Sequence, residues 1–186
     1  MNLFAQLHLH LPPWVHDEVD PLRDYSDPSA KIALAIDLSR HNVRHGTGGP
    51  FGAAVFDPSG QLAGVGVNRV VPTTCSIAHA EMMAVATTQQ RLQRVRLNED
   101  GGPWTLASSA QPCAMCYGAL FWAGIDQLLV GARADDVQSL AGFDEGPMPD
   151  DWQGELNKRG ITVQVDIARH VACDVLRDYG SGGRVY

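Results

Sequence analysis

Long apolar runs are missing from this sequence of 186 residues, and no uncharged apolar stretch reaches the ~18 residues that a membrane-spanning helix needs. A membrane partner is therefore not expected. Basic charge is also scarce: 14 Lys and Arg stand against 21 Asp and Glu, for a formal net charge of −7 and a pI of about 5.3. A chain of that sign repels polyanions at long range, which disfavours nucleic acid and favours small neutral ligands. The one basic cluster, Arg91, Arg94 and Arg96, reads as the solvated end of a helix, where cations suit the dipole. A secretory start is lacking as well. Met1 to Pro13 carries no Lys or Arg, and Gln6, His8 and His10 interrupt its apolar residues, so no signal peptide is expected. There is no internal repeat and no low-complexity tract. Cysteine is sparse, four residues in all, and two of them sit in Cys113-Ala-Met-Cys116. In an unsecreted chain that spacing points to metal or redox chemistry in a reducing compartment, which places the protein in the cytoplasm.

What is present fits one soluble α/β domain. Hydrophobic residues make up 45% and charged residues 19% of a length that suits a single core. Residues 1–26, rich in Pro and acidic groups, read as an irregular leader. Asp27-Pro28 then offers an N-cap and a first-turn proline for a helix that continues through Ile32, Ile36, Ser39 and Val43 and stops at Gly46-Thr-Gly-Gly-Pro50. Phe51 to Asp57 and Gln61 to Asn68 form a hairpin around Asp57-Pro-Ser-Gly60. A helix from Ala78 to about Arg91, a strand from Trp104 to Ser108, a helix from Cys113 to Trp122 and a strand from Gln127 to Ala132 follow. Asp151 to Arg159, Thr162 to Ile167 and His170 to Tyr179 add a helix, a strand and a helix. This alternation predicts a mixed sheet with helices on both faces, in a domain over residues 27–179 with a tail over 180–186.

Three donors stand out for metal chemistry. His79, Cys113 and Cys116 offer nitrogen and thiolate ligands that suit zinc and leave one position open, as catalytic sites require. The two cysteines lie one turn apart at a predicted helix start, where free N–H groups and the dipole favour thiolate. Glu81 is too near His79 to be a convenient fourth ligand and well placed to handle protons. A redox Cys pair or a structural zinc site are the plainer alternatives, and neither gives Glu81 a role. Cys75 and Cys173 read as small buried residues, and His8 and His10 as surface residues.

His79-Ala80-Glu81, followed after about thirty residues by Pro112-Cys113-Ala-Met-Cys116, matches the H-x-E…P-C-x-x-C pattern of zinc nucleobase deaminases. From Lys31 to Tyr186 the chain resembles the cytidine deaminase superfamily. Within it, the chain is most similar to the bacterial guanine deaminase branch, on Gly49-Pro-Phe-Gly52, Asn68, Trp122 and Gly142-Phe-Asp-Glu-Gly146. The resemblance implies a three-layer α/β/α fold around a mixed five-stranded sheet, and one Zn2+ per chain on His79, Cys113 and Cys116, with Glu81 as acid and base. It implies conversion of guanine to xanthine and ammonia, with amino-triazines as further candidate substrates. Phe51 and Trp122 would line the purine pocket, with Ala80 in the same substrate-binding set. Asn68 would donate to the ring's acceptor edge, and Glu145, then Asp144, would accept from its donor edge and relay protons. A homodimer with exchanged C-terminal segments is also implied. Ser181-Gly-Gly183 would be the hinge of a lid tipped by Val185 and Tyr186. Gln111 departs from the family's usual Glu before Pro-Cys. Cytosine, cytidine or tRNA adenosine deamination, and a non-catalytic zinc-stabilised module, are the alternatives.

Overall fold

A computed structural model describes residues 6–182. Its five strands are β1 (Gly52–Phe56), β2 (Leu62–Val67), β3 (Thr105–Ala110), β4 (Gln127–Ala132) and β5 (Thr162–Gln164), ordered β2-β1-β3-β4-β5 in one sheet. β1 runs antiparallel to β2 and β3, whereas β3, β4 and β5 are parallel, so the sheet is mixed as expected. The helices are α1 (Trp14–Glu18), α2 (Pro28–Arg44), α3 (Val70–Thr73), α4 (Ala80–Leu92), α5 (Ala114–Ala123), α6 (Ala134–Ala141), α7 (Trp152–Asn157) and α8 (Arg169–Ser181).

Successive strand residues point to opposite faces, and in this sheet both faces are apolar. Ala54, Phe56, Val67 and Ala107 face α2, α6 and α8, while Ala53, Val55, Leu106 and Val130 face α4, α5 and α7. The three-layer α/β/α arrangement follows from that two-sided burial. Glycine sets the spacing at one point of it. A Cβ on Gly66 would lie 2.0 Å from the Ala80 carbonyl oxygen and 2.3 Å from the Ala84 nitrogen, and one on Gly64 would lie 2.2 Å from Thr88 Oγ1. Only a strand without side chains there lets α4 lie directly on β2.

Residues 6–26 are irregular except for one short helix. That helix is α1, and Trp14, Val15 and Tyr25 are buried in the core on the α2 face. Lys31 ties the leader down by donating its ammonium to the Tyr25 carbonyl at 2.5 Å. So few apolar residues, behind two prolines, show no helical period in sequence. Helix α6 is a further element without a counterpart in the sequence expectation. β5 stops at Gln164 rather than Ile167, because Asp166 and Ala168 take positive φ of 65° and 50°, which ends the strand. α8 runs on through Ser181, so Gly180 and Ser181 are helical rather than hinge-like, and Gly180 packs against the Leu140 carbonyl. The expected lid tip, Val185 and Tyr186, lies outside the described residues. Among the described residues no helix is long and apolar enough to cross a membrane.

A charged clasp joins α6 to α8. Arg169 donates to both oxygens of Asp136, at 2.7 and 2.8 Å, and Arg133 pairs with Asp166 at 2.5 and 2.7 Å. The Arg169 guanidinium holds the Asp136 carboxyl down to about 2. A depressed carboxyl adds stability above its ordinary range and loses it as pH falls through the folded value. Asp136→Asn should therefore cost roughly 1–2 kcal/mol at pH 7, discounted because Arg169 is partly exposed, and the gap to wild type should close between pH 4 and pH 2. Urea unfolding at pH 7 and pH 3 measures both.

Candidate metal and substrate site

Helices α4 and α5 begin side by side. His79 is the N-cap of α4 and Cys113 the N-cap of α5, both with extended backbone (φ/ψ of −71°/158° and −67°/171°). Two open helix N-termini, with their unpaired N–H groups and partial positive charge, thus meet where thiolate forms. Cys113 Sγ lies 3.5 Å from His79 Nδ1, and Cys116 follows one turn along α5. The donor atoms of His79, Cys113 and Cys116 all lie within 4.8 Å of one another.

Glu81 enters from the first turn of α4 and is buried. Its Oε1 accepts from Ser108 Oγ at 3.1 Å and its Oε2 from Cys116 Sγ at 3.4 Å. Ser108 does not stand out in the sequence. Neither does Ser109, whose Oγ accepts from Gly52 N at 3.1 Å and so positions the chain beside Phe51. Two hydroxyls inside the fully buried strand β3 are the signal that could have found them.

The charge balance calls for a cation. Hydrogen bonding from Cys116, together with His79, pulls Cys113 down to about 4, while the same bond and burial push the Cys116 thiol up. Bonding to Cys113 raises His79. Burial and the Cys113 charge raise Glu81, and burial followed by the charges of Glu81 and Cys113 pushes Glu145 up to about 8. One favoured thiolate, a thiol and two carboxyls whose ionisation is opposed, and one imidazole together fit a divalent ion with nitrogen and sulfur ligands.

A cavity of about 280 Å³ opens over these donors, lined by Phe51, Asn68, Ala80, Gln111 and the Gly142–Glu145 loop. Phe51 meets Phe143 edge-on with ring centroids 5.2 Å apart, and Phe143 stacks on Tyr179 at 5.9 Å. Asn68 is 1% exposed. Its Oδ1 accepts from Val70 N at 3.3 Å, which sets the sense of the amide, and its carbonyl accepts from Asn42 Nδ2 at 2.9 Å. Asn42 carries no signal of this role in the sequence. The Glu145 carbonyl accepts from Ala114 N at 2.8 Å, so the acidic loop is hung from the start of α5. Asp144 is exposed, and its carboxylate accepts from Gly146 N at 2.7 Å. Gln111 does not reach the donors through a bond of its own; its Oε1 accepts from Ala134 N at 3.3 Å.

Trp122 departs from expectation. It is 75% exposed and does not line the cavity. Six residues beyond Cys116 is about 240° around the helix, so Trp122 faces away from the buried side carrying Cys116, Leu120 and Ala123.

Residues 26–132 match the zinc-binding region of the cytidine and deoxycytidylate deaminases. The chain is 30% identical to the guanine deaminase of Bacillus subtilis over 142 residues, 76% of this chain and 87% of that protein. It superposes on a guanine deaminase from Nitrosomonas europaea with a TM-score of 0.89 at 41% identity, covering 97% of this chain and all of that one (100%). A mutant of the protein NE0047 in complex with 8-azaguanine gives a TM-score of 0.90 at 42% identity, covering 98% of this chain and 100% of that one.

Proposed function

The chain belongs to the zinc-binding cytidine and deoxycytidylate deaminase family and is a zinc-dependent hydrolytic deaminase, and on that premise we propose that it converts guanine to xanthine and ammonia. The observation that carries the choice of base is that Asn68, an amide, and Glu145, a carboxyl, both line the cavity over the donors. Guanine presents O6 and N7 as acceptors and its 2-amine as a donor, and so needs both kinds of partner. A cavity near the small end of ligand sites suits a free base better than a nucleoside.

His79, Cys113 and Cys116 are the residues that would hold zinc. When bound there, zinc makes an activated water available near neutral pH. Glu81 would take a proton from that water and deliver it to the ring nitrogen beside the attacked carbon C2. As the water oxygen bonds to C2, the hydroxyl so formed still carries the second proton; Glu81 would take that proton and pass it to the amino group while the C–N bond breaks, the C2 carbonyl forms and ammonia leaves. Ser108 positions Glu81 by donating to Oε1. Phe51, braced by Phe143, supports the face of the ring. Glu145 holds the amine edge, and its raised affinity for a proton suits it to relay one.

Ammonia release from guanine, cytosine, adenine, their nucleosides and amino-triazines tests the reading. Guanine should be turned over fastest. Glu145→Gln should lower guanine kcat/KM by about 10²-fold with zinc content and Tm kept, because an amide cannot carry the proton. Asp144→Asn should cost less, since that carboxylate is engaged with Gly146. Faster turnover of cytosine than guanine would reassign the substrate.

A homodimer and a cytoplasmic location belong to the same reading. The exposed Trp122 ring, next to Phe121 at 6.0 Å, forms an apolar surface that a second copy would cover. Sedimentation velocity should return twice the chain mass, and Trp122→Glu should shift it toward monomer. No two of the four cysteines are joined in a disulfide, which suits a reducing compartment.

A further inference from the structure

A second group of metal-ligand side chains lies on the α2 face of the sheet, apart from the cysteine site. His41 sits in the last turn of α2 and His45 is its C-cap, a spacing of four that places both imidazoles on one side of the helix. Glu18, the last residue of α1, reaches between them. Its Oε1 is 2.8 Å from His45 Nε2, and its Oε2 is in contact with His41 Nδ1. The three donor atoms lie within 4.8 Å of one another.

The surroundings hold these rings in place. The buried Trp14 stacks on His45 at 5.4 Å with 13° between planes and packs on His41 at 5.8 Å. Trp14 is itself fixed by donating its indole N–H to Thr47 Oγ1 at 3.0 Å. A carboxylate and two imidazoles, the rings packed on a buried indole, supply one oxygen and two nitrogens to a common point. Borderline divalent ions accept such a set and complete their shell with water.

We propose that Glu18, His41 and His45 form a second metal site, which binds a first-row divalent transition ion such as Zn2+, Ni2+ or Co2+ and fastens α1 to the end of α2. Three ligands from two elements make the ion a crosslink between the leader and the domain. It contains no sulfur, so its affinity should fall well below that of the cysteine site and it should fill second.

The test uses the full chain with the cysteine site already loaded with zinc. Titration calorimetry with Zn2+ and with Ni2+ should find one further equivalent per chain. Tm should rise by about 5–10 °C at a hundredfold excess over Kd. Glu18→Gln and His45→Gln should each lose that equivalent and the Tm rise, while keeping the first zinc and ammonia release. Their melting without added metal reports that they fold. No second equivalent up to about 1 mM would show that the cluster is an ion-pair clasp only and overturn the proposal. Binding that persists equally in both variants would place the ion on other side chains and overturn it as well.

Discussion

Cys116→Ala should yield protein with no bound zinc and no measurable deamination, and Cys113→Ala should do the same. Each removes one of three ligands, and thiolates carry much of a zinc site's affinity. The loss is not made good locally, because the remaining cysteines, Cys75 and Cys173, lie on other elements: Cys75 just past α3, and Cys173 in α8 on the opposite face of the sheet. Removing the cation also leaves Glu81, Glu145 and the surviving thiol to suppress one another's ionisation. Metal analysis after purification and an ammonia assay measure the outcome, with Cys173→Ala as the matched control that keeps both. Stoichiometric zinc with wild-type turnover in Cys116→Ala would remove Cys116 from the ligand set.

Glu81→Gln should keep the fold and the zinc and lose turnover by about 10²–10⁴-fold, roughly 3–5 kcal/mol of barrier. The amide has nearly the same shape and still offers an oxygen to Ser108 Oγ, so the packing around a residue only 8% exposed survives. What it cannot do is bind and release a proton. The charge change should also ease the repulsion that pushes Glu145 up, so the variant need not be less stable than wild type. Equal thermal stability with collapsed kcat is the signature of a proton carrier. A wild-type rate would make Glu81 a bystander to the chemistry.

The central site is legible in the sequence because its parts are close together and chemically unusual. His79, Glu81, Cys113 and Cys116 announce themselves through spacing, and helix starts place them where the structure brings them together. The helix capped by Asp27 and the β1–β2 hairpin are legible for a similar reason, since caps and turns are local. Ser108, Ser109 and Asn42 are not. Each acts through a partner at least seven positions away, and a buried Ser or Asn looks like any other until its partner is known. The leader escapes a sequence reading for want of periodicity, because Trp14, Val15 and Tyr25 are anchored one by one rather than along a helical stripe. Trp122 misleads for a different reason: its spacing from Cys116 fits a linear pattern, and only turning that spacing around the helix axis shows that the two face apart.

The bare backbone of β2 at positions 64 and 66 bears on how such a protein can diversify. Any side chain gained at Gly66 would push the Ala80–Ala84 stretch of α4 off the sheet and carry His79 and Glu81 with it. Metal geometry and strand sequence are thereby locked into a single inheritance. The Gly142–Gly146 segment is constrained at its ends, where Gly142 and Gly146 take positive φ of 76° and 74°, but Asp144 between them is exposed. New substrate preferences can arise by drift at Asp144 while the strand behind the metal stays fixed, so specificity can change at a position that leaves the metal site untouched.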